Sequence, residues 1–172
     1  MTSEDDGAVF VIDLPTHKVL ASIKVGLRPR SVAFLPDGSV AYVTGENSGT
    51  LSVIDTKPLK LTETISLGEG TRPMAVVTSR DGKHVYVTTG RSKMLLVIDT
   101  ASNRVVASVE AGVRPWGVAL STDGKTAYTA NGPSNDVSVI DLETRQVTHK
   151  VAVGRGPWGV AVAARASAAG SR

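Results

Sequence analysis

Four prolines, Pro29, Pro73, Pro115 and Pro157, carry beside them the residues of this chain best suited to chemistry. Arg28, Arg72 and Arg114 stand immediately before the first three, and Arg155 stands one position earlier in the last. Arg30, Met74, Trp116 and Trp158 follow the prolines. Guanidinium groups pair carboxylates bidentately and indoles stack on flat rings, so a ring of such residues suits a planar anionic ligand. A pyrroloquinoline, a nucleotide or a single strand of nucleic acid fits that description. The competing reading is structural. On it, proline fixes the turn, Trp packs between repeated units and Arg lies over its neighbour's carbonyls, since repeated positions usually repeat for packing reasons.

The other polar groups offer less. Aspartate recurs in Asp37-Gly38, Asp81-Gly82 and Asp123-Gly124, and again at the end of Val-Ile-Asp at Asp13, Asp55, Asp99 and Asp141. Each sits where a turn explains it, so these are turn residues and not a carboxylate cluster. The three histidines, His17, His84 and His149, fall in different phases of the spacing and do not converge as metal ligands. No Ser-His-Asp set assembles from residues sharing one rim. The segment Asn131-Gly132-Pro133-Ser134-Asn135-Asp136 reads as a polar turn. With no cysteine, thiolate catalysis, disulfides and Cys-ligated metals are excluded.

The spacing of the prolines, 44, 42 and 42 residues, shows what must position these groups. A Gly follows each Val-Ile-Asp aspartate after 13 residues, at Gly26, Gly68, Gly112 and Gly154. The one irregularity is two extra residues between Gly68 and Pro73. A fixed period in the forties signals a repeat architecture. Within each unit the apolar runs are short, rich in Val, Ile and Thr, and bounded by turn residues, which predicts four strands and no helix. In the third full unit these strands, called A to D, fall at 116–121, 126–131, 137–141 and 146–153. Asp-Gly in the A–B connection supplies the positive backbone angles of a tight hairpin. The aspartate opening the C–D connection caps its own turn. A four-stranded meander per period is a propeller blade, with A innermost and D outermost, and it puts all D–A loops around one channel mouth. Strand A carries small residues, Ser31, Ala75, Gly117 and Gly159, where blades crowd the axis.

The fold class is therefore all-β, a partial β-propeller over residues 1–163 in units 1–27, 28–71, 72–113, 114–155 and 156–163. It comprises strands C and D of one blade, three complete blades and a last strand A over 158–163. If the two ends met, their composite blade would lack strand B, and strand C would keep an unpaired inner edge. Shifted by one period, Met1 falls on Val43, inside strand B. The expectation is that the chain is the C-terminal part of a longer ring, and that its open apolar blade face drives self-association. The tail, 164–172, is low in complexity and expected to be disordered.

Tyr42-Val43-Thr44, Tyr86-Val87-Thr88-Thr89 and Tyr128-Thr129-Ala130-Asn131, each after Asp-Gly and before Val-Ile-Asp, resemble the YVTN-type propeller repeat. The runs Arg-Pro-Trp-Gly-Val-Ala at Arg114 and Gly-Pro-Trp-Gly-Val-Ala at Gly156 look most like the propellers named for association with PQQ-dependent catabolism. The resemblance implies a seven-bladed ring, a periplasmic setting for a longer form and a binding or scaffold role. Catalysis in PQQ-dependent oxidation would then belong to a separate dehydrogenase, and PQQ enters only by that association.

Composition bounds these readings without deciding among them. The chain has 172 residues, 41% hydrophobic and 20% charged, which is globular. Its net charge of +3 favours no class of partner, so nucleic acid is not preferred. The apolar stretches are of strand length and none spans a membrane. Met1 is followed by the acidic run Glu4, Asp5, Asp6, not by the basic and apolar segments of a signal peptide. The expected function is a non-catalytic binding module whose channel-mouth face, Arg28, Arg72, Arg114, Trp116, Arg155 and Trp158, holds a protein partner or small anionic ligand. The alternatives are nucleic-acid binding through the same face and a lactonase-like enzyme. The enzyme needs metal-binding carboxylates or histidines in the channel, where strand A offers Val, Ala and Gly.

Overall fold

Runs of Val, Ile, Thr and Tyr broken by Asp, Gly and Asn turns fold as strands because branched and aromatic side chains fit a pleated surface buried on both faces. The computed structural model describes residues 1–163, and the tail expected over 164–172 lies outside them. The first sheet holds β1 (Thr2–Ser3), β2 (Ala8–Asp13) and β3 (Lys18–Lys24). Three four-stranded antiparallel meanders follow. They are β4 (Pro29–Phe34), β5 (Val40–Gly45), β6 (Thr50–Asp55) and β7 (Lys60–Ser66); β8 (Pro73–Thr78), β9 (His84–Thr89), β10 (Met94–Asp99) and β11 (Arg104–Glu110); and β12 (Pro115–Leu120), β13 (Thr126–Asn131), β14 (Asp136–Asp141) and β15 (Gln146–Ala152). No helix occurs among the described residues, so none is long and apolar enough to cross a membrane.

The blades stack around a common axis. Strands A pack on one another, β4 on β8 and β8 on β12, whereas the outer strands barely meet. The core accordingly lies between blades. Tyr42, Leu51, Val53, Val76, Val85 and Ile98 fill one interface, and Tyr86, Leu95, Val97, Val118, Ala127 and Ile140 fill the next. Each blade alone would expose these faces, so the stack is stabilised as a unit.

Every C–D pair carries the same irregularity. Between Val53 and Ile54, Val97 and Ile98, and Val139 and Ile140, the outer strand gains one residue, as β3 does opposite Val11 and Ile12. A bulge twists the outermost strand, and with its exposed charged residues it discourages edge-to-edge pairing.

Two expectations are corrected. Of each Asp-Gly pair only the glycine takes positive φ, 72° at Gly38, 70° at Gly82 and 72° at Gly124. The aspartate acts through its side chain: Asp37 accepts from the Ser39 amide, and Asp81 and Asp123 accept from the Lys83 and Lys125 amides. The closing strand A over 158–163 forms no strand, because no strand B among the described residues pairs with it. It runs beside β12 so closely that a Cβ on Gly117 would lie 2.8 Å from the Gly159 Cα. At the other end β1 pairs with β2 as Thr2 with Val9 and Ser3 with Ala8, which is the strand B register that the alignment of Met1 with Val43 predicts.

Candidate functional site

The D–A loops build their cleft from a left-handed backbone, which turn residues elsewhere in the chain, such as Leu59 and Lys93, also adopt. Arg28, Arg72 and Arg114 hold φ of 56°, 54° and 52°, the left-handed region that glycine occupies most cheaply. Their carbonyls accept from the amides of Glu46, Gly90 and Gly132, the residues just past each strand B. In the last unit the left-handed residue before proline is Gly156, φ 60°, and Arg155 is displaced outward.

Just past each proline, strand A bulges. Pro29 pairs with Gly45 and Val32 with Val43, leaving Arg30 and Ser31 opposite Thr44 alone, and the pairing of Pro73 with Thr89 and Val76 with Val87 repeats this. The threonine hydroxyl replaces the lost ladder bond. Thr44 accepts from the Ser31 amide across 3.1 Å and donates to the Met74 carbonyl of the next blade across 2.8 Å. Thr88 accepts from the Ala75 amide across 3.0 Å. This accounts for the threonine of the Tyr-Val-Thr repeat. The bulge also aims the residue after proline into the channel mouth.

Together these elements line a cleft of about 660 Å³ with Arg28, Arg30, Arg72, Arg91 and Arg114, Met74, Trp116 and Trp158, and Glu46. Of the six residues expected at this face, Arg28, Arg72, Arg114, Trp116 and Trp158 come together, and Arg155 is exposed outside the lining. The lining adds Arg30 and Met74, which follow their prolines, and Glu46, Gly90 and Arg91.

One half of the cleft is an ion network. Glu46, with a side chain only 8% exposed, lies 2.6 Å from Arg30 Nε, 3.5 Å from Arg28 Nε and 3.4 Å from an Arg72 terminal nitrogen. Arg72 also donates to Asn47 Oδ1 across 2.7 Å. Glu4 accepts from Arg28 Nε across 2.9 Å and from Arg30. The Arg28 hydrogen bond holds the Glu4 carboxyl below its ordinary range, and Glu4 in turn raises Arg28.

The other half is aromatic. Trp116 and Trp158 stack with centroids 4.3 Å apart at 23°, and the Arg114 guanidinium lies 5.6 Å from the Trp116 centroid. Trp116 also covers Gly132, where any side chain would overlap the indole. Trp116 is thus engaged by Trp158, Arg114 and Gly132. The open stacking surface is that of Trp158, 63% exposed.

The aspartates stay in their turns. Asp13, Asp99 and Asp141 accept from the amides of Thr16, Ser102 and Thr144, and Asp55 accepts from that of Lys57. Among the described residues no group of three His, Asp or Glu side chains could hold a metal ion.

A family described as lactonase, 7-bladed beta-propeller, matches residues 8–163. Among solved structures, hydrazine synthase from Kuenenia stuttgartiensis is similar at a TM-score of 0.80 and 28% identity, over 86% of this chain and 43% of that one. A functionally unknown protein from Desulfotomaculum acetoxidans DSM 771 is similar at a TM-score of 0.81 and 15% identity, over 94% of this chain and 55% of that one. The chain thus spans about half the length of these structures. None of the curated proteins matches it.

Proposed function

The chain belongs to the lactonase family of 7-bladed β-propellers, and from that premise we propose that its D–A loop cleft binds a small anion with a planar part. The observation that carries this is the convergence of Arg28, Arg30, Arg72, Arg91 and Arg114 with the exposed indole of Trp158 on one cleft. The left-handed φ of Arg28, Arg72 and Arg114 recurs at turn residues such as Leu59, Lys93 and Arg145, and belongs to the loop geometry. Five arginines face one glutamate in the cleft, which leaves positive charge for a ligand. Arg72, Arg91 and Arg114 receive its carboxylates or phosphates, and Trp158 receives its flat ring.

Glu46 supports the same reading, since it is a carboxylate already seated among these guanidiniums and shows the geometry they offer. The binding is non-catalytic on this reading. A periplasmic setting and an accessory role beside PQQ-dependent oxidation extend it, and rest on the repeat resemblance alone.

A hydrolytic reading is favoured by one observation, that a carboxylate and several guanidiniums share the cleft. A lactone carbonyl oxygen would sit on Arg72 or Arg114 and Glu46 would activate water. Both Glu46 oxygens already accept from arginines, which suits a scaffold better than a base.

Calorimetric titration with pyrroloquinoline quinone, a planar tricarboxylate, and separately with ADP, tests the proposal. Saturable binding to the wild type and at least tenfold weaker binding to Arg114→Gly is expected. Equal affinity in the glycine variant would make the arginines structural. Affinity for an oligonucleotide that falls steeply with salt would shift the reading to nucleic acid.

A further inference from the structure

At the rim of the A–B and C–D turns, opposite the D–A loops, the two interfaces between complete blades differ. Between the first and second complete blades, Leu35 and Val40 pack on the core, and a Cβ on Gly82 of the next blade would lie 3.4 Å from Pro36 Cδ. Between the second and third, the positions of Leu35, Pro36 and Val40 are taken by Ser79, Arg80 and His84. A Cβ on Gly124, the counterpart of Gly82, would meet nothing within 4 Å. Polar residues thus replace an apolar wedge, and an open slot of about 360 Å³ stands in its place. Both flanking blades have all four strands.

Tyr86 lines this slot and is only 7% exposed. Its counterpart Tyr42 donates to Asn103 Oδ1 across 3.3 Å, and Asn103 Nδ2 donates in turn to Glu63. Arg145 stands where Asn103 would, with a similar left-handed φ, 58° against 53°. A guanidinium has donors and no acceptor, so the Tyr86 hydroxyl finds no acceptor at that position. Burial, and then the charge of Asp81, raise its pKa and keep it a donor. A buried donor calls for an acceptor.

The charges around Tyr86 are unpaired as well. Asp81 and Asp123 use Oδ1 for their own turns, and Oδ2 of each has no donor among the described residues. Glu143 joins them in the lining, where the preceding blade has Ala101. Arg80 and Lys125 line the same slot, yet no ion pair among the described residues joins them to these carboxylates.

We propose that this slot binds a small zwitterion of the α-amino acid class. The ligand carboxylate accepts from the Tyr86 hydroxyl and from Arg80 or Lys125, and the ammonium donates to the free oxygens of Asp81, Asp123 or Glu143. A sugar would satisfy the hydroxyl but leave both sets of charges unmatched. A simple anion or cation would match only one set. The site is separate from the D–A cleft and does not rest on the reading of that cleft.

Amide NMR of the full chain, titrated separately with glycine, L-serine and L-glutamine, should show saturable shifts centred on Gly124, Lys125 and Glu143 for at least one of them. The N-acetyl and amide derivatives of that amino acid each lack one charge, and should bind about tenfold more weakly or worse. Tyr86→Phe should weaken binding by a similar factor while melting at the wild-type temperature or above. Tyr42→Phe, which loses a hydrogen bond, should melt lower and bind as the wild type does. Arg80→Pro combined with His84→Val copies the first complete blade, and should fold but lose the shifts. No saturable shift with any of the three, shifts centred on Gly90 and Gly132 at the other rim, or glucose binding as tightly in the slot overturns the proposal. So does a Tyr86→Phe variant destabilised as much as Tyr42→Phe, because its hydroxyl would then already have a partner.

Discussion

Arg30 donates its Nε–H to Glu46 across 2.6 Å, joining the residue after proline to the residue after strand B of the same blade. The same two positions meet in the next blades with other chemistry, Met74 against Gly90 and Trp116 against Gly132. Charge meets charge in one blade, and bulk meets glycine in the others. That pairing divides the cleft into an ionic and an aromatic half.

Truncating Glu46 leaves Arg28, Arg30 and Arg72 facing one another without their shared anion. Glu46→Ala should lose about 2–3 kcal/mol of stability, the usual cost of stripping one partner from a largely buried, hydrogen-bonded ion pair. Sulfate or phosphate should restore much of the lost melting temperature by filling the vacated place, and chloride at equal ionic strength should not. A variant as stable as the wild type, or rescued equally by every salt, would show that the network is only surface charge.

Substitution of the two cleft glycines separates rigid from yielding neighbours. At Gly132 an added methyl overlaps the indole of Trp116, a rigid ring already stacked on Trp158. Gly132→Ala should cost about 1–3 kcal/mol and change the near-ultraviolet circular dichroism of the stacked indoles. At Gly90 the methyl would lie 3.2 Å from Met74 Cγ, the middle of a flexible side chain, so Gly90→Ala should cost less. Equal costs would refute the pairing of positions.

The frame was legible in the sequence because it repeats. Proline, Asp-Gly and Val-Ile-Asp recur at the blade period, and each marks a turn that the chain needs again in every blade. Glu46 escaped notice for the opposite reason. Its counterparts are Glu4, Gly90 and Gly132, so no repeated type flagged it, although Glu4 and Arg30 at the matching offsets were a signal of paired charge. The indoles were visible by type, but their mutual stacking depends on the approach of β12 and the segment after β15, a distance that no spacing along the chain supplies. The ladder missing from residues 158–163 was concealed because strand A character is local, whereas a strand also needs a neighbour.

Acid sensitivity should come from the turns. Asp81, Asp99 and Asp123 are held below the ordinary carboxyl range chiefly by the hydroxyls of Ser79, Ser102 and Ser121, and Asp37 and Asp141 by the amides of Ser39 and Thr144. A carboxyl lowered by folding stabilises the fold while ionised. That contribution is complete above the unfolded value, about pH 4, and is lost as pH falls through the lower folded values. Urea midpoints should therefore be flat from about pH 8 to 5 and decline below about pH 4. Asp123→Asn should make the decline shallower while keeping the turn, because the amide oxygen still accepts from Lys125. A decline that begins near pH 6 would assign it to other groups.

Arg72 can be used to separate backbone cost from side-chain use. Its φ of 54° suits glycine and opposes a β-branched residue. Arg72→Gly relieves that strain but loses the bonds to Asn47 and Glu46 and adds freedom to the unfolded chain, so its stability should stay within about 1 kcal/mol of the wild type. Arg72→Val keeps the strain and loses the same bonds, and should fall about 1–2 kcal/mol below the glycine variant. Both should weaken anion binding equally, because both lack the guanidinium. Thermal melts and calorimetry on the same two proteins give the two comparisons. If affinity follows stability instead of the guanidinium, arginine is in this loop for the fold and the cleft has another purpose.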